Sequence, residues 1–151
     1  MSEDRPDAGT LEPLVGDWSV TAQFPGIEPV VSGRTSFSWL LGRRLLVETS
    51  RMDHSEVPDS HSVYAPDDER PGGFVQHYFD SLGVVRNYAV TFDGRTWIRL
   101  RQAADFSPLD FAQRFVGTLG EDGDVIEARW ETARDGAEWD RDFTLTYRRI
   151  R

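Results

Sequence analysis

The sequence of 151 residues contains no cysteine and no lysine, and it has only three histidines. Without cysteine there can be no disulfide framework, no thiolate nucleophile and no cysteine-ligated metal. The absence also fits a reducing compartment, so we predict a cytoplasmic location. All 17 basic residues are arginines, and 26 acidic residues leave a formal net charge of −9. Because nucleic acids and anionic membrane surfaces attract basic proteins, we expect neither as a partner.

Long hydrophobic runs are also missing. No stretch approaches the roughly 18 consecutive apolar residues that indicate a membrane-spanning helix. The first ten residues are polar and lack the apolar core of a signal peptide. We therefore expect a disordered tail over residues 1–10, followed by one domain over residues 11–151.

What the chain does have is regular alternation of apolar and polar residues. Between Trp18 and Phe24 every second residue is apolar, which is the period of a half-buried strand. Helical periodicity is confined to a single predicted turn at Leu11–Val15. The predicted strands are Trp18–Phe24, Val30–Leu40, Leu45–Arg51, His61–Tyr64, two within Phe74–Phe92, Trp97–Gln102, Phe111–Leu119, Val125–Thr132 and Trp139–Arg149.

Short turn sequences separate most of these segments and decide how they connect. Asp93-Gly94 is typical of a tight turn between paired strands. About ten short strands with such connections predict an all-β protein with up-and-down antiparallel order, and closure into a barrel would remove exposed strand edges. We predict a single antiparallel β-barrel, with the loop Ala103–Asp110 covering one end.

Several polar side chains fall on strand faces that are otherwise apolar. The hairpin Phe74–Phe92 holds His77, Tyr78, Arg86 and Tyr88 among apolar neighbours, so we expect any chemistry of the protein to involve this hairpin. Strict alternation places Arg141 on the same face as Phe143 and Tyr147 in the last strand. The residues expected to bind a ligand in the interior are His77, Arg86, Tyr88, Gln113, Arg141, Glu48 and Trp39.

Interior arginines allow two interpretations. A buried guanidinium group without a partner costs several kcal/mol. Arg86 and Arg141 could therefore form salt bridges with Glu48 or Asp80 in a filled core. They could instead face a cavity and orient the acidic or polar head of a small molecule.

Catalysis is a further alternative. His77 could act as a general base near neutral pH, with Tyr88 as its acid partner, in a cofactor-independent cyclase or isomerase that acts on an apolar intermediate. A histidine in a strand can also be an ordinary hydrogen-bonded core residue. We predict no cofactor. The loop around His54, with Asp59 and His61, matches no known metal-ligand spacing, so we also predict no metal site.

Three segments resemble the landmarks of a bacterial lipocalin-like family of unknown function. They are Leu14–Trp18, Leu41–Glu48 and Tyr78–Gly83, and the resemblance extends over nearly the whole chain from Leu11 onward. It implies a calycin-type barrel with a central cavity, and it implies no activity. The chain is more distantly similar in shape to nitrobindin, a ten-stranded haem barrel with its proximal histidine on a late strand. The last two predicted strands here contain no histidine, so haem ligation does not carry over.

Together these patterns favour a binding protein. We predict a β-barrel, monomeric or homodimeric, that encloses a small apolar or amphipathic ligand, which could be an acid.

Overall fold

The computed structural model describes residues 7–26, 30–106, 108–134 and 138–151. A 3-10 helix at Gly9–Leu14 precedes ten strands. The strands are β1 (Gly16–Gln23), β2 (Val31–Leu40), β3 (Leu45–Met52), β4 (Ser60–Pro66), β5 (Phe74–Asp80), β6 (Val85–Phe92), β7 (Thr96–Arg101), β8 (Ala112–Leu119), β9 (Val125–Ala133) and β10 (Asp140–Arg149).

All ten strands form one closed antiparallel barrel. Each strand pairs with its neighbours in sequence, and β1 closes the ring by pairing with β10. The predicted fold class and strand number are therefore confirmed. Alternation with a period of two predicted the strands correctly because each strand presents one face to the barrel interior and the other to the outside.

The turn between β6 and β7 shows how local sequence sets the register. Gly94 has a φ of 96°, a conformation that glycine adopts without steric cost. The Asp93 carboxylate accepts hydrogen bonds from the amides of Arg95 and Thr96 and so stabilises the turn. As predicted from Asp93-Gly94, β6 pairs directly with β7.

One end of the barrel is closed by the 3-10 helix. Ala8, Leu11 and Leu14 are completely buried there, and the amide of Ala8 donates to the carbonyl of Arg43 at 2.8 Å. Of the predicted tail over residues 1–10, residues 1–6 lie outside the described residues. Residues 7–10 belong to the fold, because the buried Ala8 and the start of the helix anchor them to the barrel.

Arg149 joins several segments at this closed end. Its guanidinium group lies 4.2 Å from the centre of the Trp18 ring and donates to the carbonyls of Val15, Pro13 and Gly123. One side chain thus connects the last strand to the first strand and to the segment around the helix.

The opposite end, where β1, β3, β5, β7 and β9 finish, is called the open end below. At this end, hydrogen bonds hold the loop between β7 and β8 against the barrel. Arg101, which is almost fully buried, donates two hydrogen bonds to the carboxylate of Asp105 at 3.0 and 3.1 Å and one to the carbonyl of Pro108. Asp105 also accepts a hydrogen bond from the amide of Asn87 on β6.

The described part of the chain contains no helix long and apolar enough to cross a membrane.

Candidate functional site

The barrel interior has two halves of different character. Toward the closed end it is filled by large side chains, among them Trp18, Phe37, Trp97 and Phe115. Toward the open end it contains a cavity of about 290 Å³. The side chains around the cavity are mostly apolar, with a smaller number of polar and charged groups, which is the usual composition of a small-molecule site.

At the inner end of the cavity, Glu48, Tyr64 and Arg99 form one buried hydrogen-bonded group. The Tyr64 hydroxyl donates to Oε1 of Glu48 at 2.7 Å. Nη1 of Arg99 donates to the Tyr64 hydroxyl at 3.3 Å and lies 3.6 Å from the same Glu48 oxygen. Glu48 and Arg99 are 6% and 5% exposed, so each charge has its main counter-charge in the other.

Aromatic rings surround the Arg99 guanidinium group. Its central carbon lies 3.8 Å from the centre of the Phe115 ring, 4.3 Å from that of Trp97 and 5.1 Å from that of Trp130. A cation over aromatic faces is stabilised electrostatically, more so when water is excluded. Burial alone would lower the pKa of Arg99, but the adjacent Tyr64 and Glu48 raise it overall, so Arg99 stays charged.

A second polar group lies on the β6 and β8 side of the cavity. Oε1 of Gln113 accepts two hydrogen bonds, from Nη1 of Arg86 at 3.1 Å and from the Tyr88 hydroxyl at 3.0 Å. Nε of Arg86 is buried and has no hydrogen-bond partner in the described part of the chain. The Arg86 charge is thus held by a neutral acceptor.

The protein's four tyrosines all titrate above the ordinary range. Burial raises the pKa of Tyr147 to about 12, and burial is also the largest cause of the raised pKa values of Tyr64, Tyr78 and Tyr88. The Tyr78 hydroxyl donates to Asp80 at 2.8 Å, which raises its pKa further. These raised pKa values keep the four hydroxyls protonated near neutral pH, so they do not act as bases.

The structure brings four of the predicted interior residues together around the cavity. They are Glu48, Arg86, Tyr88 and Gln113. The observed salt bridges differ from the predicted ones. Glu48 pairs with Arg99, and in the described part of the chain neither Arg86 nor Arg141 forms a salt bridge with Glu48 or Asp80.

Three other predicted interior residues do not surround the cavity, and two of them are His77 and Trp39. His77 lies on the outer face of β5, because Gln76 and Tyr78 take the inner face, and its ring nitrogen Nδ1 lies 2.8 Å from Oδ1 of Asn87. Trp39 is half-buried near the closed end, with Arg43 over its ring at 4.7 Å. The predictions that His77 and Trp39 face a ligand cavity are therefore wrong in placement.

The third, Arg141, is exposed, so the prediction of an interior Arg141 is also wrong. The register of β10 against β9 shifts between Arg141, which pairs with Glu131, and Phe143, which pairs with Trp130. The one extra residue is a β-bulge, and a bulge interrupts the strict alternation from which the interior position was inferred.

The predicted ligand-binding residues do not include Arg99, Tyr64 or Tyr78, although the sequence contains a signal for Arg99. Alternation places Val90 on the same face as Tyr88, and the Asp93-Gly94 turn fixes the register between β6 and β7. Arg99 is the direct partner of Val90 in that register. Directly paired residues share a face of the sheet, so Arg99 must point inward as well.

None of the three histidines belongs to the cavity. His54 accepts a hydrogen bond from the amide of Glu56, His61 is exposed and lies near Thr49, and His77 is on the outer face. The cavity residues of the described chain thus include no imidazole that could ligate a haem iron. Within the same described ranges, no group of three or more histidine or acidic side chains is arranged to hold a metal ion.

Among the comparisons with known proteins, one solved structure supports the barrel fold. No protein-family model matches the sequence, and no curated protein matches it. The crystal structure of Rv2717c from M. tuberculosis is similar over 97% of this chain and 99% of that one, with a TM-score of 0.70 and 16% sequence identity. A de novo designed fluorescence-activating β-barrel aligns over 97% of this chain and 100% of its own, with a TM-score of 0.46 and 11% identity. The chain therefore shares its closed antiparallel barrel fold with Rv2717c.

Proposed function

We propose that this protein binds a small, partly apolar molecule inside its barrel. The observation that carries the proposal is the cavity of about 290 Å³, which is bordered both by aromatic rings and by hydrogen-bonding groups. Small barrel interiors are commonly filled by side chains, and protein interiors are packed densely. A space this large, with polar groups converging on it, is the usual form of a ligand site.

The volume limits the size of the ligand. Liquid water occupies about 30 Å³ per molecule, so the cavity corresponds to roughly ten water molecules. We expect a ligand of roughly 10 to 15 non-hydrogen atoms, which lies against Trp130, Phe143 and Phe24 and directs its polar end to Arg86 or Arg99.

Filling the cavity is the direct test. Ala22 borders the cavity on β1 and is 1% exposed, so Ala22→Leu would occupy part of the space. Ala89→Leu is the matched control, because Ala89 is half-buried on the outer face of β6 and away from the cavity. The assays are native mass spectrometry and calorimetry with a panel of small aromatic and aliphatic molecules. We expect the wild type and Ala89→Leu to bind members of the panel. We expect Ala22→Leu to bind them roughly tenfold or more weakly, because the lost contacts and lost space are worth more than about 1.4 kcal/mol. Equally tight binding by both variants would show that the cavity is not the ligand-binding site.

Conversion of the ligand, by a cyclase or isomerase reaction, has less support. His77, the predicted base, is outside the cavity, and burial raises the pKa of Tyr88, which makes it a weak acid. If catalysis occurs, a His77→Ala variant should retain full turnover, because its side chain does not reach the cavity.

The finer classification is also part of the proposal. We propose a lipocalin-like barrel of the calycin type, on the basis of the segments Leu14–Trp18, Leu41–Glu48 and Tyr78–Gly83. They lead into β1, connect β2 to β3, and turn from β5 to β6, respectively. A cytoplasmic location, a monomeric or homodimeric state, and the absence of nucleic-acid and membrane partners stay predictions from composition.

A further inference from the structure

The cavity carries an excess of positive charge. Three side chains that carry a formal charge border it: the arginines Arg86 and Arg99 and the acid Glu48. Glu48 is engaged by Arg99 and Tyr64. One positive charge, that of Arg86, is therefore left without a negative counterpart among the described residues of the cavity.

The surroundings of Arg86 support this assignment. No carboxylate oxygen of the described residues lies within salt-bridge distance of its guanidinium group. Nη1 donates to the neutral amide oxygen of Gln113, and the buried Nε has no partner within the described ranges of the chain. A partly buried cation in this state is stabilised when an anion enters its pocket.

The adjacent groups are arranged to complete an anion site. Arg86 and the Tyr88 hydroxyl both donate to one atom, Oε1 of Gln113. An incoming carboxylate has two oxygens that can take over both of these donors. Rotation of the Gln113 side chain would then present its NH₂ group, a third donor, to the same anion.

We infer that the ligand is a small monocarboxylate, with its carboxylate held by Arg86, Tyr88 and Gln113 and its apolar body against Trp130 and Phe143. This inference rests on the proposed binding function and specifies its ligand class. A single negative charge balances the single unpaired arginine. A second carboxylate on the same ligand would enter the apolar half of the cavity without a counter-charge, which is unfavourable.

The first test uses the wild-type protein and needs no substitution. The probes are 3-phenylpropionate, its alcohol 3-phenylpropan-1-ol, and the dicarboxylate phenylsuccinate, measured by calorimetry at neutral pH. We expect the monocarboxylate to bind roughly tenfold or more tightly than the other two, because a charge-assisted hydrogen bond is about twice as strong as a neutral one. Binding of the alcohol as tight as that of the acid would overturn the anion inference and leave the binding function standing. Failure of all three probes to bind would count against both.

The second test identifies the arginine. Arg86→Gln should weaken 3-phenylpropionate binding by about 10- to 100-fold, because charged hydrogen bonds are the strong ones, and should change binding of the alcohol by less than about threefold. Arg86→Lys keeps the charge but loses the planar fork, so an intermediate loss is expected. Arg141→Gln is the matched control, since it removes the same charge from an exposed position at the same end. Circular dichroism and urea unfolding confirm that each variant is folded. Wild-type affinity in a folded Arg86→Gln would overturn the inference.

Discussion

The buried pair of Glu48 and Arg99 makes a sharp prediction about stability. In Glu48→Gln the side chain keeps its shape and can still accept from Tyr64, but the Arg99 cation loses its counter-charge. Removing one partner of a buried ion pair costs about 3 to 5 kcal/mol. Both side chains here are nearly buried and 3.6 Å apart. Because both also border the cavity, water can approach Arg99, so we expect the lower part of that range, about 3 kcal/mol.

An exposed pair on the same protein provides the control. Arg43 and Glu12 lie 2.8 Å apart, which is closer than the buried pair, but their side chains are 48% and 50% exposed. Exposed pairs contribute about 0 to 1 kcal/mol. Glu12→Gln should therefore lower the free energy of unfolding by less than about 1 kcal/mol, although it breaks the shorter contact.

Urea unfolding followed by tryptophan fluorescence measures both variants, with the free energy obtained by linear extrapolation and an unchanged dependence on urea. The double variant Glu48→Gln with Arg99→Met removes the uncompensated cation and should be more stable than Glu48→Gln alone. A Glu48→Gln variant within about 1 kcal/mol of the wild type, or a double variant less stable than the single one, would refute the reasoning.

Three further predictions concern other parts of the barrel. The raised pKa values of all four tyrosines, with that of Tyr147 at about 12, favour the protonated side chains in the folded state. Their contribution to the free energy of unfolding is fully present below about pH 10 and is lost as pH rises toward about 12. Absorbance at the tyrosinate band should therefore rise together with unfolding, and tyrosine ionisation near pH ~10 in a folded protein would contradict the prediction. Gly33→Ala should destabilise by about 1 to 3 kcal/mol, because a new Cβ would lie 2.3 Å from a backbone oxygen of β3, whereas Gly120→Ala, with its nearest neighbour at 3.5 Å, should be nearly neutral in the same urea assay. Asp105→Asn should speed hydrogen exchange of the Asn87 amide, which donates to that carboxylate, and unchanged protection would show that the loop is held by other contacts.

The fold was predictable because apolar and polar residues alternate along the strands and because turn sequences mark the strand ends. Interior position was harder to predict for β5. Its outer face carries Val75 and Phe79, which are apolar, and its inner face carries Gln76 and Tyr78. Where an inner face also carries polar groups, the more apolar face of a strand does not reliably indicate the barrel interior. The apolar neighbours of His77 therefore point to the wrong face.

Two physical features of the candidate site are hidden from single-strand patterns. The bulge in β10 adds one residue and turns Arg141 outward, and no residue of the sequence marks it. The partner of Glu48 is set by the three-dimensional closure of the barrel, which brings β3 and β7 to face each other across the interior. Arg86, Tyr88 and Gln113 were predictable because β6 and β8 alternate without interruption.

A crystal structure of the protein with 3-phenylpropionate tests the central claim most directly. We predict density for the probe in the open half of the barrel, with a carboxylate oxygen within about 3.2 Å of a guanidinium nitrogen of Arg86 and the ring against Trp130. An interior filled by Phe24 and Phe143, or a probe bound with its carboxylate away from Arg86, would contradict it.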